Sequence, residues 1–182
     1  ASARAPTVPN LAQQVDCAEI DQIGALTHEY SVGLEADAVS AIIWELKASF
    51  DAYESSEPDR AIAIAGAVQQ LAEASMDPSC LAVAAWTRGM ADQLEGDLPA
   101  SLEHLERAEA AFIALKLPSV AAETLISKLF SLAMLGRYDE ALRAGLRARA
   151  IFLSHGDSLA AGKVEQNLGN IYFRRDEYRK AE

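Results

Sequence analysis

The 182-residue chain reads as all-α: antiparallel helix pairs stacked in a row, an α-solenoid. Three observations predict this. Roughly a fifth of the positions are alanine, the strongest helix former, and the 6 prolines are widely spaced. Residues of one side recur at helical rather than alternating spacing, as in the mostly apolar Val120, Ala121, Thr124, Leu125, Lys128, Leu129 and Leu132. The whole pattern also returns after 40 residues, and a fixed period is the mark of a repeat array.

The period is visible column by column. Ala61-Ile62, Ser101-Leu102, Ala141-Leu142 and Ala181 share one phase, and Asp37, Asp77 and Asp157 share another, with Leu117 as the exception. Ala72, Phe112 and Phe152 form a third column, and Gly96 and Gly136 mark the same turn. The repeats are therefore read as 37–76, 77–116, 117–156 and a truncated 157–182. Residues 1–36 precede them as a helical cap or remnant repeat, with Leu11, Val15, Ile20, Ile23, Leu26 and Tyr30 spaced for one or two helices.

Each copy holds two helical stretches. Aspartates of the 37/77/157 column are placed to accept hydrogen bonds from the free amides of a first turn. Pro78 and Pro118 follow at the first helical position, where a missing N–H costs nothing. The stretch 118–135 is predicted to end at Gly136, and a second stretch to run from about Tyr138 to Phe152. Small residues in columns 61/101/141 and 68/108/148 predict close approach of neighbouring helices.

Net charge −11 excludes the basic face a nucleic-acid binder needs. The charge is uneven, −10 over residues 1–81 and +2 over 122–182. No apolar run is long enough to span a membrane, and the first ten residues lack the apolar stretch of a signal peptide. Cys17 and Cys80 could in principle pair, but they are read as two buried thiols of a reducing, cytoplasmic compartment. The uncapped Arg179-Lys-Ala-Glu182 is read as the cut edge of a longer protein.

His28, His104 and His155 form no ligand-spaced set, and neither a nucleophile elbow nor a phosphate loop occurs. His104 and the acidic cluster Glu103/Glu106/Glu109 are read as solvated helix faces. The sequence predicts a non-enzyme with no cofactor and no metal.

Leu168-Gly169, Tyr172, Tyr178 and Ala181, together with Leu135-Gly-Arg-Tyr-Asp-Glu-Ala-Leu142, resemble the tetratricopeptide (TPR) repeat. The similarity is best over 118–182 and weakest over 38–76. It departs from the family in period, 40 here against about 34, and in Glu73, Ile113 and Leu153 where the family closes its second helix with proline. A second helix longer by about a turn and a half accounts for both. A period of 40 also touches the HEAT range, the structural alternative. Lengthened repeats of this kind resemble those of bacterial signalling and regulatory proteins.

The resemblance implies a right-handed superhelix whose concave groove is lined by the first helix of each pair. It places Lys163, Asn167, Asn170 and Arg174 on that inner side, as one polar stripe able to hold a peptide backbone and a carboxylate. Earlier copies offer an apolar lining: Ile43, Leu46, Phe50 and Tyr53, then Val83, Trp86 and Met90, then Ile126, Phe130 and Met134. Val39, Ile42, Ala82, Ala85 and Gly89 make the other side of the same helices apolar too, which predicts a second burial, either within the fold itself or by a docked helix, a further segment of the protein or a second copy. The expected function is a protein-protein interaction module binding a peptide or helix, a segment of its own protein included. The alternatives are a regulatory segment controlling an attached effector domain, or a self-association module forming a homodimer.

Overall fold

The computed structural model describes residues 11–31 and 36–175, and every regular element among them is helical. Tyr178, Ala181, the segment 179–182 and the first ten residues lie outside the described residues, as does the side chain of Asp37. The helices are α1 (Leu11–Cys17), α2 (Ile23–Ser31), α3 (Ala36–Tyr53), α4 (Pro58–Ser75), α5 (Pro78–Glu95), α6 (Leu98–Ala114), α7 (Pro118–Met134), α8 (Tyr138–Ser154) and α9 (Ser158–Arg174). A 3-10 turn, Ile20–Gln22, separates α1 from α2. The chain divides into two compact units, one ending at Thr87 and one starting at Arg88, so that the boundary falls inside α5.

The helix ends follow from local chemistry. Asp77 Oδ1 accepts the amides of Ser79 and Cys80 at 2.9 and 3.0 Å. Asp157 accepts the amide of Ala160 at 2.9 Å. Leu117 has no side-chain acceptor, and α7 begins on Pro118, which presents no amide to satisfy. Asp97 caps α6 through the amide of Ala100, a cap in a column the sequence reading passed over. At the other ends, the amides of Asp97, Leu117, Arg137 and Asp157 each donate to the carbonyl five residues back, at 2.8–2.9 Å. This bond closes a helix through a left-handed residue. Gly96, Gly136 and Gly156 supply that conformation, and Lys116 adopts it with φ 60°.

In the first unit α1 packs on α2 and α3, α2 on α4, and α3 on α4. Leu11, Val15 and Ile23 are fully buried, whereas Ile20 in the 3-10 turn is exposed. Arg60 of α4 donates to the carbonyls of Val15 and Ala18 at 3.1 and 3.0 Å, satisfying orphan acceptors at the end of α1. Its guanidinium also lies 5.5 Å from the Tyr53 ring centroid. Ile43, Leu46, Phe50, Val83 and Trp86 are core, and so are Val39, Ile42, Ala82 and Ala85. The fold itself therefore buries both apolar sides of these helices, which favours burial within the fold over a ligand in these two copies.

In the second unit α6, α7, α8 and α9 pack consecutively, and α9 also meets α7. This is the arrangement of an all-α helical repeat. The small-residue columns lie where close approach was predicted: Ala61, Ser101, Ala141, Val68, Ala108 and Ala148 are all fully buried. Gly145 and Gly89 carry the approach furthest. A Cβ on Gly145 would meet Leu168 Cδ2 at 2.6 Å, and one on Gly89 would meet Leu105 Cγ at 2.7 Å.

Three further expectations are corrected. Cys17 is exposed and only Cys80 is buried, because Cys17 ends the short α1 on its outer side; both thiols are free. His104 is half-buried with Nδ1 2.7 Å from Asp92 Oδ2, since Asp92 is buried on α5 and needs partners. Arg88 Nε supplies the second, at 2.7 Å. Glu109 is buried rather than solvated, because it stands at helical spacing from Leu102, Leu105 and Phe112 on the inward face of α6. No described helix is long and apolar enough to cross a membrane.

Candidate functional site

Helix α7 runs from a proline at its first position to a left-handed glycine, Gly136, just past its end, so its register is fixed at both termini. Leu125, Leu129 and Leu132 turn into the core. That leaves Ile126, Phe130 and Met134, four residues apart, as a stripe along a flank. Helix α9 is set by the Asp157 cap and by Leu168, which packs against Gly145. Its buried residues Ala161, Val164, Leu168 and Ile171 leave Asn167, Asn170 and Arg174 together beside Ile171.

These two stripes line one groove of ≈ 180 Å³. Ile126, Phe130 and Met134 form one wall, Asn167, Asn170 and Arg174 the other, and Leu129, Ala133 and Ile171 the base. Phe130 and Met134 are 51% and 50% exposed and line the same cleft. Arg174 Nη1 lies 3.6 Å from Met134 Sδ, so its guanidinium reaches the apolar wall. The amides of Asn167 and Asn170 bond to no other described residue. The groove thus offers apolar surface, two uncommitted amides and one cation. At this size it is a cleft for one or two side chains rather than a cofactor pocket.

Three predicted residues lie apart from it. Lys163 is exposed on α9 but does not line the groove. Met90 is half-buried on α5. Trp86 is 6% exposed in the first unit. Its ring meets Trp44 edge-on at 6.5 Å between centroids, and the Lys47 ammonium sits 4.2 Å above it. That ammonium, itself buried and paired with Asp51 at 2.5 Å, occupies the ring face a ligand would need.

Sequence reasoning missed a second groove of ≈ 210 Å³, formed by α6, α7 and α8. Lys128 and Glu109 lie in its lining, 9% and 8% exposed, with Lys128 Nζ 3.2 Å from Glu109 Oε2. Arg147 Nη1 donates to Glu109 Oε1 at 2.6 Å, and Glu106 lies 3.4 Å from Lys128. The helical phase of Glu109 relative to Leu105 and Phe112 was the signal available for it. Among the described residues no group of three or more His, Cys, Asp or Glu side chains could hold a metal ion.

Fold and groove together define an all-α helical-repeat protein with an open amphipathic cleft on its second unit. No protein-family model and no curated protein matches the chain.

Proposed function

We propose that the chain is a non-catalytic interaction module of TPR-like type that binds a peptide in the groove between α7 and α9. The observation that carries this is the convergence of Phe130 and Met134 with Asn167, Asn170 and Arg174 on one cleft. An exposed aromatic and an exposed methionine give a partner's apolar side chain something to bury. The two asparagines can donate to and accept from an extended backbone. Arg174 adds a fork for a carboxylate on the same segment. The favoured ligand is thus a segment with an apolar anchor and an acidic neighbour.

Panning a displayed random-peptide library on the immobilised chain tests this. Selected peptides should bind at least about tenfold more weakly to Asn167→Ala/Asn170→Ala and to Phe130→Ala, the loss expected for an anchor contact of about 1.4 kcal/mol. Thermal stability of the asparagine variant should stay within about 1 kcal/mol of the parent, as for surface changes. Peptides that bind both variants as well as the parent would remove the groove from the function. A matching loss of folding would make the asparagines structural.

A further inference from the structure

The second groove, on another side of α7, goes beyond that reading. Its six charged lining groups are Glu106, Glu109, Glu140, Lys128, Arg143 and Arg147. Both carboxylate oxygens of Glu140 are taken by Arg137 at 2.7 Å, which holds its carboxyl below the usual range. Glu109 is shared by Lys128 and Arg147, and Glu106 faces Lys128. Every carboxylate is therefore already paired. Arg143 is exposed, forms no ion pair with any described residue, and acts on Glu140 only at longer range. With Arg137 counted, the groove has one cation in excess, in a chain of net charge −11.

A buried Lys–Glu pair is a poor source of stability, because the desolvation of both charges offsets their attraction. The repeat does not require it either. One period earlier the same positions hold Gly66, Gln69, Arg88, Ala100, Glu103 and Arg107, without the central carboxylate and with an acid in place of Arg143. What the pair does do is fix Arg147. Glu109, buried on α6, accepts from one of its nitrogens and leaves the rest of the guanidinium exposed at the rim. Arg143 stands one turn away on the same face of α8. Leu125 and Leu132, both core residues, close the floor of the groove, and Ala144 adds to its side.

We propose that this groove is a binding site for a small organic oxyanion, a carboxylate or phosphate ester, gripped between Arg143 and Arg147 at its rim. Two guanidinium forks one turn apart, one of them pre-positioned, suit a planar or tetrahedral oxyanion better than a point charge.

Isothermal titration calorimetry on the intact chain tests this, with inorganic phosphate and citrate as separate probes at an ionic strength matched by sodium chloride. Saturable binding of either probe, weakened about ten- to a hundredfold by Arg143→Ala, is the expected result. Which probe binds distinguishes a phosphate site from a carboxylate site. Arg149→Ala, which removes a surface pair with Glu165 outside the groove, should leave the affinity unchanged. No saturable heat from either probe would overturn the proposal, as would equal affinity of Arg143→Ala and the parent. Because Arg143 is exposed and forms no ion pair with any described residue, its removal leaves the fold intact and the comparison interpretable.

Discussion

At the scale of single residues, Asp77 ties sequence to stability through one oxygen. The Cys80 amide, and then that of Ser79, hold its carboxyl below the ordinary aspartate range. A carboxyl whose folded pKa lies below its unfolded value of about 3.9 adds stability above that pH. The contribution disappears as pH falls through the lower, folded value. Asp77→Ala should therefore cost about 1 kcal/mol at pH 7, as for other lost N-caps. The difference from the parent should shrink below about pH 4 and close as the carboxyl protonates. Urea denaturation of both chains at pH 7 and at successively lower pH reads this directly, and a difference that stays constant down the whole acid limb would mean that the cap works without its charge. Burial pushes the Cys80 thiol up, away from the thiolate, so this neighbour stays chemically quiet while its amide does the capping.

Among the helices, spacing is decided where a side chain is missing. Gly145 admits Leu168 and Gly89 admits Leu105, each at a distance no real Cβ tolerates. Alanine at either site gains about 1 kcal/mol of helix propensity, which overpacking of about 1–3 kcal/mol opposes. At Gly145 the obstruction is the leucine itself, and its terminal methyl can swing aside. At Gly89 the carbonyl oxygen of Ser101 lies 3.1 Å away as well, and backbone does not yield. Gly89→Ala should thus lower stability by about 1–2 kcal/mol, and Gly145→Ala by less, ordered by their melting temperatures. This level was the most legible in the sequence. Period, prolines and small-residue columns predict helices and contacts because each is a local or strictly repeated constraint. The groove was legible in part. Asn167, Asn170, Arg174, Ile126, Phe130 and Met134 could be phased along their own helices, so their meeting follows from two registers. Trp86 was misplaced because an apolar stripe looks the same whether a ligand or Lys47 covers it. Glu109 was not legible because the partners that make its burial tolerable, Lys128 and Arg147, lie 19 and 38 residues away in sequence.

For the molecule as a whole, the boundary between the two units raises the question of whether they unfold together. It falls at Thr87–Arg88, in the middle of α5. Unfolding one unit alone would cut that helix and leave up to four carbonyls or amides without partners at the new end. A helix fragment of about ten residues is also marginal on its own. In a repeat, each unit's stability depends on such a shared element, so a loss in one should be felt in the other. The chain carries its own reporter for this: the two tryptophans, Trp44 and Trp86, both lie in the first unit and touch. Leu129 lies in the second unit, 3% exposed, and Leu129→Ala should cost about 2–5 kcal/mol through the cavity it leaves. Circular dichroism, which reports all the helices, must then show a lower urea midpoint. Shared α5 predicts that tryptophan fluorescence shows the same downward shift, although no tryptophan is near the substitution in sequence. A fluorescence midpoint that stays at the parent value while the dichroism midpoint falls would mean that α5 breaks at its centre and that the units fold independently.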